Sequence, residues 1–330
     1  NVHMKKNIAI IMGGYSSEYL ISLKSGSMVY DSLPKTSYNA YCIHIFKEKW
    51  VYITDDLKEY PVNKADFSVL VEGSKLNFDC VFNAIHGSPG EDGIMQAYFE
   101  LLSIPHTSCG MYQAALTFNK RDCLSVLKPY GILMADSYFL NSGDPVDAIA
   151  IENAVGFPCF VKANKAGSSF GVTKVYSKAD LPNAIATAFK EDDELIIESF
   201  LEGTEVSVGV IRYKGKVTVL PITEILTEND FFDYEAKYLG KSQEITPARL
   251  SDTQEAAVRE TAESIYTILK LDGFSRSEFI FKEGKPHFLE INTIPGLTKE
   301  SILPQQAAQA GISLPDLFDN AIQEALQKNS

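Results

Sequence analysis

Apolar and polar positions follow two rhythms along the chain. Residues 7–12 (Asn-Ile-Ala-Ile-Ile-Met) are a short apolar run ending in Gly13-Gly14, the pattern of a buried parallel strand entering a glycine turn. Residues 18–32 have helical character, with Ser16 or Ser17 as the expected cap. Strands are expected at 40–46 and 80–85, and a helix at 93–102. This alternation predicts a parallel α/β unit over residues 1–115. A second unit, 116–200, has a helix at 119–130, strands at 137–140, 159–163 and 194–199, and a helix at 178–190 with Leu181, Ile185 and Ala188 on one face. A third unit, 201–330, has strands at 205–212 and 216–220, then a helix at 253–271 whose stripe is Val258, Ala262, Ile265 and Leu269. Strands at 273–281 and 286–291 meet at Glu283-Gly284, and a last helix runs from 314 to about 327. Connections between 194 and 220 are too short for crossovers, so the later units read as mixed α+β with antiparallel pairing. Residues 223–247 are polar, aromatic-rich and aperiodic, and a loop that long is usually functional or disordered; the aromatics favour function.

Composition narrows the classes. A formal charge of −13 over 330 residues, with no Lys/Arg tract, argues against binding a nucleic-acid backbone. No apolar stretch reaches the length of a membrane span. Five scattered cysteines in apolar surroundings read as reduced, buried thiols, which points to the cytoplasm. Residues 1–6 lack the apolar core of a signal peptide, and Met4 is the expected natural start.

The candidate chemistry lies at turns. GxxxxGK[ST] and GxGxxG are both absent, which removes the P-loop and the simple dinucleotide readings. Residues 161–172 instead place Lys162 at the base of a small-residue hairpin, Gly167-Ser168-Ser169-Phe170-Gly171, able to close over phosphates. Lys120 is a second phosphate candidate. Gly-Ser loops and helix-surface lysines are also common without any ligand. His86-Gly87-Ser88-Pro89-Gly90-Glu91-Asp92-Gly93 follows a predicted parallel strand, at the edge where open α/β sheets bind ligands, and His86 is placed to orient or deprotonate one. Gly13-Gly14-Tyr15-Ser16-Ser17-Glu18 shares that edge, so Glu18 could receive an ammonium. Glu290 and Asn292 share one face of a strand, as period 2 requires, and suit a hard cation. Arg276 and Glu278 lie one strand earlier.

Taken in order, Gly13-Gly14-x-Ser16-x-Glu18, His86-Gly87-x-x-Gly90-Glu91-Asp92-Gly93, Lys162…Gly167-Ser168-Ser169-x-Gly171, Tyr234-Glu-Ala-Lys237-Tyr238 and Glu290-x-Asn292-Thr-x-Pro295-Gly296 resemble the D-alanine–D-alanine ligases of the ATP-grasp superfamily over nearly the whole chain. The resemblance implies a three-domain ATP-grasp architecture. Residues 1–115 would be an N-terminal parallel α/β domain on the substrate side. Residues 116–200 and 201–330 would be two mixed α+β units enclosing the nucleotide, the last carrying the metal and catalytic residues. It implies ligation of two D-alanines through an acylphosphate, with ATP as co-substrate, for peptidoglycan precursor synthesis. Lys120, Lys162, Ser168 and Ser169 would meet ATP phosphates, and Glu198, Ser199 (by its backbone), Phe200, Leu201 and Glu205 the adenosine. Glu278, Glu290 and Asn292 would hold two Mg²⁺, with Mn²⁺ a possible substitute. Glu18 would hold the first ammonium, with His86 near that substrate's carboxylate. Arg276 and the Gly296 N–H would meet the oxyanion, while Ser301 and the Ile302 N–H receive the second carboxylate. Lys237 and Tyr238 would belong to a lid over the substrates, and a hydroxyl chain through Tyr238 and Ser168 toward Glu18 could accept a proton. A homodimer is expected by resemblance. Three positions depart from the family pattern: Tyr19 for a usual histidine, Glu278 for a usual aspartate, and Asn119 for a usual acid. D-alanyl-D-serine or D-alanyl-D-lactate synthesis, and a non-catalytic nucleotide-binding protein, are the alternatives.

Overall fold

The computed structural model describes residues 4–166, 171–226 and 243–328. Its first sheet is built from β1 (Lys6–Gly13), β2 (Tyr38–Ile45), β3 (Trp50–Ile53), β4 (Glu59–Asn63), β5 (Ser68–Val71), β6 (Ser74–Leu76) and β7 (Cys80–Asn83), in the order β6-β5-β4-β3-β2-β1-β7. Helices α1 (Tyr19–Ser32) and α2 (Ile94–Leu101) accompany it. Only β2, β1 and β7 pair in parallel; β3 to β6 extend the sheet as an antiparallel meander. A wholly parallel first unit is therefore corrected to a mixed one. The cap of α1 is also corrected: Glu18 holds that position with no capping bond from its side chain to the helix, and the Ser16 hydroxyl accepts from the Glu18 N–H at 3.1 Å.

The second sheet, in the order β10-β9-β11-β8, is antiparallel: β8 (Ser137–Asn141), β9 (Cys159–Ala163), β10 (Val172–Val175) and β11 (Glu194–Ser199). Helices α3 (Met111–Phe118) and α4 (Lys120–Leu127) precede it, and α5 (Ala148–Val155) and α6 (Leu181–Ala188) pack on it. Asn119 starts α4 as its cap, accepting from the Asp122 N–H at 3.0 Å. That fixes where Lys120 stands.

The third sheet runs β15-β14-β12-β16-β17, with β13 beside β12: β12 (Glu205–Tyr213), β13 (Lys216–Val219), β14 (Thr223–Leu226), β15 (Gln243–Ile245), β16 (Phe274–Lys282) and β17 (Lys285–Asn292). Helix α7 (Asp252–Ile268), opened by a Ser251/Gln254 capping box, buries the expected Val258, Ala262 and Ile265 stripe against it. Helices α8 (Ile302–Gln309) and α9 (Leu314–Lys328) turn back to the first sheet, where Leu303, Phe318 and Ile322 pack with Ile8, Ile10 and Phe82. The Tyr38 hydroxyl donates to Asp319 at 2.5 Å in the same contact. The first and last segments thus share one core, which sets the β1 and β7 turns against the end of β17. Among the described residues, no helix is long and apolar enough to cross a membrane.

Candidate active site

One cleft between the second and third sheets is lined by Lys120, Lys162, Glu198, Ser199, Phe200, Leu201, Glu205, Glu278 and Glu290. Lys162 projects from near the C-terminal end of β9, and its Nζ lies 2.8 Å from Oε1 of Glu198 on β11. Burial pulls this ammonium down, but Glu198, Glu290 and Glu205 outweigh that and hold it above the ordinary lysine value. Lys162 is therefore a fixed positive charge at neutral pH. The Lys120 ammonium donates to Ala166 O at 2.7 Å, at the start of the hairpin that β9 and β10 bracket by pairing Lys162 with Val172. Ser168 and Ser169 lie outside the described residues. Phe200 is flanked by Phe160 at 6.0 Å, with the Lys174 ammonium 4.0 Å from its ring centre. The Ser199 N–H donates to Asp136 O at 2.9 Å and its hydroxyl accepts from the Asp136 N–H at 3.1 Å. That strand end is locked to the segment before β8.

At the floor of the cleft, strand register assembles the charged groups. Antiparallel β16 and β17 pair Glu278 with Glu290 and Arg276 with Asn292, putting all four side chains on one face. Arg276 and Glu278 are only 4% and 5% exposed and are directly hydrogen-bonded. The guanidinium also donates to the Ser207 hydroxyl at 3.1 Å, and that hydroxyl donates to Glu278 at 3.3 Å. Asn292 accepts from the Ile294 N–H at 2.9 Å, ordering the exit from β17. Among the described residues no three His, Cys, Asp or Glu converge as a metal cage. Two carboxylates and one carboxamide nevertheless suit Mg²⁺, which takes one or two protein carboxylates and completes its shell with phosphate and water oxygens.

The substrate side is organised by α1. Glu18 is buried at its start, near His86. Burial pushes the His86 imidazole down, and Glu18 opposes that only in part. Neutral His86 donates from Nδ1 to Ile294 O at 2.8 Å and accepts at Nε2 from the Ser25 hydroxyl at 2.9 Å. The Ser25 oxygen in turn accepts from the Leu297 N–H at 3.2 Å. Both ring nitrogens are thus engaged within the chain, and His86 pins the 293–297 turn, with buried Gly296, onto α1. Sequence reading missed Ser25, and Ser22, whose hydroxyl links the Gly13 N–H to Ala84 O. Their only sequence signal is two hydroxyls, three residues apart, on the buried side of α1. Ser301 caps α8 and holds Thr298 by a 2.7 Å hydroxyl pair, so the Ile302 N–H opens the helix, a favourable place for a carboxylate. Tyr19, 41% exposed, sets its ring edge against Phe46. Lys237 and Tyr238, with most of the expected lid, lie outside the described residues. Its flanks, β14 and β15, pair Leu226 with Gln243.

A lysine-lined cleft between two antiparallel sheets, floored by paired carboxylates and an arginine, defines an ATP-grasp protein. A family model described as D-ala D-ala ligase N-terminus matches residues 7–109, and one described as D-ala D-ala ligase C-terminus matches residues 126–323. The chain belongs to the D-alanine–D-alanine ligase family. It is 67% identical to a D-alanine–D-alanine ligase of Flavobacterium johnsoniae, over 97% of this chain and 99% of that protein. It is 60% identical to one of Christiangramia forsetii, over 98% and 100%. Among solved structures it resembles a D-Ala:D-Ser ligase from Enterococcus faecalis, with TM-score 0.87 and 32% identity over 98% of this chain and 100% of that one. It also resembles a D-alanine–D-alanine ligase from Bacillus anthracis complexed with ATP, with TM-score 0.79 and 29% identity over 98% of both chains.

Proposed function

We propose that this protein uses ATP to join two D-alanine molecules into D-alanyl-D-alanine, releasing ADP and phosphate, for cell-wall synthesis. The observation that carries the reading is one continuous cleft running from the Lys162–Glu198 pair to Glu278 and Glu290, with Arg276 beside them. Lys162 and Lys120 neutralise phosphate charge and hold the γ-phosphoryl group toward the first substrate. Glu18 holds that substrate's ammonium, so its carboxylate faces the phosphoryl group and attacks it to give an acylphosphate. Glu278, Glu290 and Asn292 would hold two Mg²⁺, which would supply charge screening for the phosphate groups. Ser301 and the Ile302 N–H receive the carboxylate of the second D-alanine. Its amine attacks the acyl carbon, and Arg276 with the Gly296 N–H stabilises the resulting oxyanion. Excluding water preserves the acylphosphate, which gives residues 223–247 a role as a lid carrying Lys237 and Tyr238. Release of ADP that requires a divalent cation and D-alanine supports this function; equal release with L-alanine sinks it, because Glu18, His86 and Arg276 are proposed to fix one enantiomer. The family likeness supports a cytoplasmic homodimer, which sedimentation tests.

Glu278 carries the metal assignment despite its extra methylene. Glu278→Gln is expected to raise the Mg²⁺ concentration for half-maximal rate by about tenfold, whereas Glu278→Asp keeps substantial activity. Mg²⁺ titrations of the two variants check it; an unchanged Gln titration removes Glu278 from the metal site.

D-alanine is the preferred acceptor over D-lactate near neutral pH. Selecting the hydroxy acid requires a group that disfavours an ammonium, such as a protonated histidine. No histidine lies between His106 and His287. D-serine is rejected only weakly, since a pocket for a small side chain discriminates poorly against one added hydroxyl.

A further inference from the structure

Strand β15 brings the chain back to the third sheet, and its middle residue, Glu244, is an acid that the reading above leaves without a role. Pairing runs Glu244–Ile225–Glu205–Ile280 across β15, β14, β12 and β16. The next row on that face runs Thr223–Ser207–Glu278–Glu290, with Thr246 joined to Thr223 by a 2.7 Å hydroxyl contact. Register partners share a face and side chains repeat every two residues, so half-buried Glu244 stands on the face that carries Arg276, Glu278 and Glu290. Two strands separate it from Glu278. Its row neighbour Ile225 packs against Ile302, the residue whose N–H receives the acceptor's carboxylate. Glu244 therefore lies on the acceptor side of the same sheet face, within electrostatic reach of Arg276 and Glu278.

We infer that Glu244 takes the proton from the ammonium of the second amino acid, a role that rests on the ligation proposed above. The neutral amine then forms the C–N bond with the acyl carbon. The C–O bond to phosphate breaks with its electron pair leaving on phosphate, and the nitrogen's surplus proton departs with the phosphate. The charges facing Glu244 are Arg276 and Glu278 from β16 and Glu205 in its own row, while Glu224 and its partner Arg249 belong to the other face. Burial pushes the Glu244 carboxyl up to about 7, Arg276 opposing and Glu278 adding to the rise. It is poised to exchange a proton near neutral pH.

The test compares the full-length protein with Glu244→Gln and Glu244→Asp, using ATP, Mg²⁺ and D-alanine across pH 6 to 9. The Gln variant is expected to lose about 10²-fold in kcat at pH 7 while ATP binding holds. Its rate should climb with pH across the whole range as free amine accumulates, whereas the wild-type rate levels off above about 7, once Glu244 is ionised. The Asp variant should recover part of the rate. A Gln variant within threefold of wild type with the same pH profile overturns the inference. So does a raised KM for the acceptor with kcat and pH profile intact, since that describes binding alone. If the wild-type protein does not ligate D-alanine, the functional reading fails instead, and the two failures are distinct.

Discussion

Arg276→Ala is expected to lower kcat by about 10²–10³-fold, the usual consequence of deleting one oxyanion donor. KM for ATP should stay nearly constant, because the guanidinium lies beside the reacting carbonyl and not on the adenosine. The same change strands Glu278, which is 5% exposed and directly bonded to Arg276. Removing one partner of a buried ion pair costs about 3–5 kcal/mol, so the variant should also unfold at lower denaturant. Removing both charges together, in Arg276→Met with Glu278→Gln, should restore most of the stability and none of the rate. Steady-state kinetics beside urea titrations separate the two effects. An Arg276→Ala enzyme with kcat within threefold of wild type removes Arg276 from the oxyanion site.

Lys162→Ala should reduce kcat/KM for ATP by about 10²-fold, through loss of the phosphate charge and through the unpaired Glu198 left in the cleft. Lys162→Arg should recover little, since a planar fork does not reproduce a point charge seated at 2.8 Å from Glu198. The ammonium is held above its ordinary value, so its contribution to stability is complete at neutral pH. That contribution is lost only as pH rises through the folded-state value, beyond the unfolded-state value near about 10.4. ATP affinity should therefore show no Lys162 titration between pH 6 and 9. Isothermal titration with a non-hydrolysable ATP analogue measures both points, and affinity unchanged in Lys162→Ala contradicts the phosphate assignment.

Legibility in the sequence followed the strength of local signals. The apolar run of β1, the Gly13-Gly14 turn and the α7 stripe have one reading each, and the fold agrees with them. The meander escaped largely because its β3–β4 and β4–β5 turns use Leu57 and Phe67 at φ of 66° and 58°, where glycine or asparagine would have announced them. Helix α8 escaped because it is one short stretch containing Pro304, a few residues after the Pro295-Gly296 turn. Helix α9 was legible as a helix, but no pattern of its own says that Phe318 packs against Phe82, 236 positions earlier, with ring centres 5.5 Å apart. In the site, Glu290 and Asn292 were readable because strand period fixes their common face, and the register confirms that face. The contacts of His86 were not readable, because its partners Ser25 and Ile294 arrive from distant segments. Glu244 was hidden in the aperiodic stretch 223–247, where only pairing with β14 reveals its face.

Product identification by mass spectrometry, with ATP, Mg²⁺ and an equimolar mixture of D-alanine, D-serine and D-lactate at pH 7.5, tests the central claim most directly. The expected result is D-alanyl-D-alanine as the main product, one ADP and one phosphate for each dipeptide, and little D-alanyl-D-lactate. Equal yields of the depsipeptide and the dipeptide, AMP with pyrophosphate, or nucleotide turnover without any ligated product would contradict it.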